Sequence, residues 1–227
     1  MGLRQRKVAI PGCTGQISEF RRMSPEVDAK ELIISFVREK FLSGGFARLS
    51  VDEISSGLAI SKKTLYKHFG SKEDLIYQVA DRVMGEAREQ LSGILSSDHD
   101  FITKLNELMT FLGFQIAHFG SVVLLDFRKH APDLFRRVQQ FRRERIHEVL
   151  GKLLLQGMRE GHIRPDVNVR VFMLAFLSAV ENILQPATLA QESFSVHEGL
   201  RSILAIFFHG ILTEEASTRL EQLQLHS

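Results

Sequence analysis

The sequence predicts an all-α chain of about nine helices: a small N-terminal three-helix unit, one long connecting helix, and a larger helical domain behind it. Three observations predict it. Ser50, Ser61 and Ser71 each stand where a helix should start, so short elements crowd into one stretch. Beyond residue 100, apolar residues recur every three or four positions along most of the chain. Alternating apolar and polar patterns of useful strand length are absent, as are internal repeats.

The elements follow in order. Residues 1–23 show no periodicity and hold Gly2, Pro11, Gly12, Gly15 and five basic residues. They read as a flexible basic tail; the alternative is an arm that touches phosphate or the minor groove. Ser24-Pro25 opens the first helix, with proline in the first helical position. Its stripe is Ala29, Leu32, Ile33, Phe36, Val37 and Phe41, and Gly44-Gly45 ends it. Two helices of about two turns each follow Ser50 and Ser61. A long helix runs from Lys72 to about Leu95, before the break at Ser96-Ser97-Asp98. Phe101, Leu105, Leu108, Leu112 and Ile116 mark the next, up to Gly120, and a short helix covers about 121–129. Pro132 starts a long helix that stops at Gly161. The last two span about 167–185 and 196–213, the second opened by a capping box from Ser195 to Glu198. The organisation is therefore a tail at 1–23, a three-helix unit at 24–75, and a second domain at 76–227.

Composition narrows the classes. With 29 basic and 27 acidic residues the bulk charge is nearly balanced, so distribution carries the information. Residues 61–72 contain four lysines and no acid. Cys13 is the only cysteine, which excludes an intrachain disulfide and suits a reducing, cytoplasmic setting. The longest apolar run, Val171 to Val180, is too short to span a bilayer. No apolar stretch precedes Gly12-Cys13, so no signal peptide is expected.

The stretch from Ser50 to Leu75 carries the most chemistry. The Ser50 hydroxyl is expected to accept from the Glu53 amide while the Glu53 carboxylate bonds back to the Ser50 amide. Leu49 with Ile54, and Ile60 with Leu65, have the spacing of hydrophobic staples. Val51, Ile54, Leu58, Ile60, Leu65, Phe69 and Leu75 can close one small core, which turns Lys62, Lys63 and Lys67 outward. A short basic helix set across a tight turn from another short helix is a helix-turn-helix, a shape that enters a DNA major groove.

These residues resemble the TetR family of bacterial transcriptional regulators. The matching pattern is Gly45-Phe46, Ile60-Ser61, Thr64-Leu65-Tyr66, His68-Phe69 and Ser71-Lys72-Glu73-Asp74-Leu75, within a likeness over roughly residues 26–80. The resemblance implies double-stranded DNA as a partner and a DNA-binding set of Ser50, Ser61, Lys62, Lys63, Thr64, Tyr66, Lys67, His68 and Lys72. Lys62, Lys63 and Thr64 would lie at or near base edges, and Tyr66, Lys67, His68 and Lys72 would hold phosphates. Two positions depart from the family pattern. Ala59 stands where a turn glycine is usual, and Lys63 where a small residue is common.

The second domain is read more coarsely. Helices 167–185 and 196–213 are apolar around more than one face, which suggests burial on two sides. The resemblance implies that they form a four-helix bundle with a second copy; burial within one monomer is the alternative. It also implies a cavity for an unknown small-molecule effector. Phe111, Phe114, Phe119, Phe127 and Phe176 are the candidate lining, with Gln115, His118 and Asn182 as polar contacts. The bland reading of each is core packing or a solvated face. The arginine-rich stretch 127–145 reads as a solvated helix face, with an anionic-ligand or second DNA contact as the alternative.

No metal-binding histidine pattern, nucleophile elbow or glycine-rich phosphate loop appears, so neither an enzyme nor a cofactor is expected. The resulting expectation is a ligand-responsive regulator, a repressor that binds a palindromic operator as a homodimer and is released by a small molecule. The rival is an architectural or cell-organisation DNA binder of the same fold without a ligand, which a dry, filled second domain would favour.

Overall fold

The computed structural model describes residues 25–44, 49–118 and 121–225. The tail at 1–23, the Gly45-Phe46 pair and Phe119 lie outside them. Among the described residues eleven helical segments are formed: α1 (Pro25–Gly44), α2 (Val51–Gly57), α3 (Lys62–His68), α4 (Lys72–Ser96), α5 (Phe101–His118), α6 (Ser121–His130), α7 (Pro132–Arg159), α8 (Val169–Ile183), α9 (Pro186–Leu189), α10 (Val196–His209) and α11 (Glu214–Leu225). A single antiparallel bridge, Ile163 to Leu212, is the only strand-like pairing among the described residues. The all-α architecture is as expected.

Two segments exceed the nine expected. α9 is a four-residue turn. α11 is a true addition: Ala216 and Leu220 are buried and Leu223 packs beside them. Their spacing of four and three residues is a helical stripe, but the polar residues between them hide it. Arg219 ties this helix to Asp100, at the start of α5, at 3.0 Å. The penultimate predicted helix starts at Val169 because the Asn168 side chain accepts from the amides of Arg170 and Val171.

Local chemistry sets the other boundaries. Ser50 and Glu53 form the reciprocal capping box, with bonds of 3.1 and 2.7 Å. Ser61 and Ser71 each accept from the amide three residues on, and Ser195 with Glu198 repeats the box. α7 stops in a Schellman turn: Gly161 sits at φ 75°, and the His162 amide reaches back to the Gly157 carbonyl at 2.9 Å.

α2 ends in the same turn with the wrong residue for it. Ala59 has φ 52°, its amide bonds to the Ser56 carbonyl, and the Ile60 amide bonds to the Ser55 carbonyl. A side chain in this left-handed conformation costs about 1 kcal/mol or more. Ala59→Gly is therefore expected to stabilise the protein by about 0.5–1 kcal/mol, after glycine's greater unfolded-state entropy is subtracted. Urea unfolding checks it; an unchanged or lower midpoint would remove strain from this turn.

The buried residues form two cores. The larger joins α4, α5, α7, α8, α10 and α11, and includes Phe101, Leu105, Leu153, Phe176 and Phe208. The smaller holds α1–α3 against the first turns of α4, through Ile33, Val37, Ile54, Leu65, Phe69 and Leu75. This N-terminal core also takes in Phe127 from α6 and Leu134 from α7. Arg137 reinforces the same joint by pairing with Asp81 at 2.7 Å. The head is thus seated on α6 and α7 as well as carried by α4.

Candidate nucleic-acid interface and cavity

α3 buries one side and offers the other. Leu65 is buried within it, and Phe69, its C-cap, packs into the same core. Ser61, Lys62, Lys63, Tyr66 and Lys67 are exposed, while Thr64 and His68 are half-buried. The turn back to α2 is held by the Ile60 amide and by the Ser61 hydroxyl, which accepts from the Thr64 amide at 3.0 Å. The Ser61 and Thr64 hydroxyls also share a hydrogen bond at 2.8 Å. The His68 ring stands tilted beside Phe69. Ser50 and Lys72 start α2 and α4 on either side of this helix.

One neighbour of α3 was not foreseen. Asp52, in the first turn of α2, pairs with Lys62 at 2.7 Å. The pair is well exposed, and its hydrogen bond raises the Lys62 pKa above the usual lysine range. Exposed ion pairs of this kind contribute little to stability, so Lys62 can exchange Asp52 for another anion at small cost. The Glu53 carboxyl is held below its ordinary value by the Ser50 amide and then the Ser50 hydroxyl. A carboxylate lowered in this way contributes stability above its unfolded pKa and loses it as pH falls through the folded one.

Behind the head lies an apolar cavity of about 100 Å³. α4 forms one wall through Ala80, Val83, Met84, Ala87 and Leu91. α5, α6, α7, α8 and α10 complete it. Of the sequence candidates, Phe111, Gln115, Phe127 and Phe176 line this space. Phe114 is exposed on α5, and Asn182 is exposed on α8, where it donates to the Ser178 carbonyl at 2.8 Å. Neither lines the cavity. The side chain of His118 lies outside the described residues.

The basic stretch on α6 and α7 divides in two. Arg128, Lys129, Arg136, Arg137 and Arg143 are exposed, as a solvated face requires. Arg142 and Arg145 instead line the cavity. Their positions continue the inward stripe of Leu134 and Val138, so the spacing held the signal and their charge masked it.

The exterior of the larger domain carries apolar residues too. Val171 and Leu174 on α8 and Ile206 on α10 are 60%, 62% and 71% exposed. On their other faces, α8 and α10 pack together through the rings of Phe172, Phe176, Phe207 and Phe208. Among the described residues no cluster of His, Cys, Asp and Glu can hold a metal, and no helix is long and apolar enough to cross a membrane.

Comparison with known proteins gives consistent matches. Residues 33–79 match the family model for bacterial regulatory proteins, tetR family. The HTH-type transcriptional regulator UidR of Escherichia coli (strain K12) is 28% identical over 192 residues, covering 80% of this chain and 91% of that protein. An uncharacterized HTH-type transcriptional regulator, YvaF of Bacillus subtilis (strain 168), is 24% identical over 75% of this chain and 89% of its own length. Among solved structures, a TetR-family transcriptional regulator from Agrobacterium tumefaciens superposes with a TM-score of 0.63 at 18% identity, covering 83% of this chain and 100% of that one. The transcriptional regulator FadR from Bacillus subtilis, in complex with stearoyl-CoA, gives a TM-score of 0.56 at 18% identity over 80% of this chain and 98% of that one.

Proposed function

This chain is a TetR-family transcriptional regulator, and from that premise we propose that it is a repressor that holds a palindromic operator as a homodimer and lets go when a small molecule fills its cavity. The observation that carries the reading is the course of α4. It begins just past the recognition helix α3, and five of its residues wall the cavity. An occupant that displaces α4 therefore tilts the head. Two tilted heads no longer match half-sites about 34 Å apart, or a multiple of that turn.

On the DNA, Lys62, Lys63 and Thr64 read base edges, and Tyr66, Lys67, His68 and Lys72 hold phosphate. The N-termini capped by Ser50 and Ser61 add partial positive charge. The second copy docks on the exposed apolar faces of α8 and α10. The bundle then explains why those helices are apolar on two sides. Effector coupling of ~1–3 kcal/mol suffices for regulation, provided the ligand prefers one conformer. The work is cytoplasmic, where the DNA is. The cavity favours this reading over a ligand-free architectural binder, and the fold's capacity for a small molecule is seen in the stearoyl-CoA complex of the Bacillus subtilis protein.

The test is operator selection from genomic fragments followed by salt titration. Tyr66→Ala and Lys67→Ala are expected to weaken binding to every sequence, and Lys67→Ala to flatten the salt dependence by roughly one charge equivalent. Thr64→Ala should instead change the selected motif. Unaltered affinity, slope and motif across these variants would sink the assignment of α3.

A further inference from the structure

We infer that the cavity is built for an apolar molecule with a single carboxylate, which Arg142 grips. The inference rests on the effector reading above and adds its chemical class.

Among the described residues Arg142 has neither a hydrogen-bond nor an ion-pair partner, although its neighbours Arg143 and Arg145 both pair with glutamates. It lines a cavity otherwise walled almost wholly by aliphatic and aromatic side chains. Burial lowers its pKa from the ordinary arginine range, yet a guanidinium stays charged in a protein. It keeps some accessible surface. That surface belongs to the cavity, which accounts for both observations. A cation enclosed among Phe141, Ile146 and Val138 with nothing to bond is costly unless something arrives to bond it.

Arg145 sharpens the charge. One of its Nη atoms meets Glu148 at 2.6 Å, so its charge is already matched. Its Nε is buried without a partner. With Arg145 matched by Glu148 and its Nε closed off from the space, the cavity presents one unmatched positive charge, that of Arg142. A singly charged, planar, two-oxygen acceptor fits: a carboxylate takes two N–H groups from one guanidinium. Gln115 is the other polar side chain in the lining. The body of the ligand must be apolar and small. A cavity of about 100 Å³ is of the order of one that admits a benzene-sized guest.

The probes are hexanoate and benzoate, each against its neutral alcohol and amide, titrated into the purified dimeric protein by calorimetry and by thermal shift. At least one carboxylate is expected to bind at least tenfold more tightly than its neutral counterparts. Arg142→Met, which keeps length and apolar contact, is expected to erase that preference, and Arg142→Lys to retain part of it. Equal binding of acids and neutrals, no binding by any carboxylate at millimolar concentration, or an undiminished preference in Arg142→Met would each overturn the inference. Should Arg142→Met fail to fold, the wild-type comparison alone still decides. Operator release is measured separately. A carboxylate that binds without releasing DNA upholds the ligand class and defeats the effector reading; a neutral molecule that alone binds and releases DNA does the reverse.

Discussion

Ile206→Glu is expected to turn the proposed dimer into a folded monomer and to lower operator affinity by about 100-fold or more, because the second head would no longer bind as a tethered partner. Ile206 is the most exposed large apolar side chain described in the chain, and Val171 and Leu174 on α8 share its exposure. Ala175, Ser178, Ser202 and Ala205 are exposed on the same two helices and are small enough to let a facing helix approach closely. A carboxylate at Ile206 costs nothing inside the protomer, where the position meets water. Facing its own copy across a twofold axis, it would bury two like charges. Sedimentation, circular dichroism and a half-site binding assay separate the effects. A variant that still sediments as a dimer would move the interface elsewhere.

Phe101→Ala is expected to destabilise the protein by about 3–5 kcal/mol, the range for emptying a fully buried aromatic site. Phe101 is completely buried, and its ring stacks on His162 at 5.8 Å and 15°. Its edge fills the niche over Gly157, where an added Cβ would fall 2.6 Å from the ring. Its amide donates to Glu160 at 3.1 Å, so this residue fastens the start of α5 to the end of α7. Gly157→Ala should destabilise as well, by about 1–3 kcal/mol through overpacking. Denaturant unfolding measures both. A loss below about 1 kcal/mol for Phe101→Ala would mean the site collapses on itself.

The head could be read from the sequence because its determinants are local. A serine, an acid three residues on and a flanking staple specify Ser50 to Ile54 without reference to the rest of the chain. The left-handed alanine was signalled by the family resemblance, since Ala59 stands where a turn glycine is usual. What escaped depends on distant packing. Nothing near Asp52 in sequence announces that it will meet Lys62 across the turn. Arg142 looked like its solvated neighbours because charge, taken alone, argues for water. Phe114 and Gln115 both sit on α5, but adjacent helical residues point about 100° apart, and only the second turns toward the cavity. α11 is not legible in the sequence because its four apolar residues, set among charged and polar ones, are too sparse to stand out before α5 is there to receive them.

Phe127, Ala80 and Val138 have a double allegiance: each borders the cavity, and each belongs to or packs on the core that seats the head. Such shared masonry links two properties that evolution would otherwise adjust independently. Enlarging the chamber for a bulkier guest by trimming Phe127 would also loosen the mount of the DNA reader. Under the proposed function, new effector preferences should therefore arise more readily on the α5 and α8 walls, leaving the α6 corner as the part that changes last.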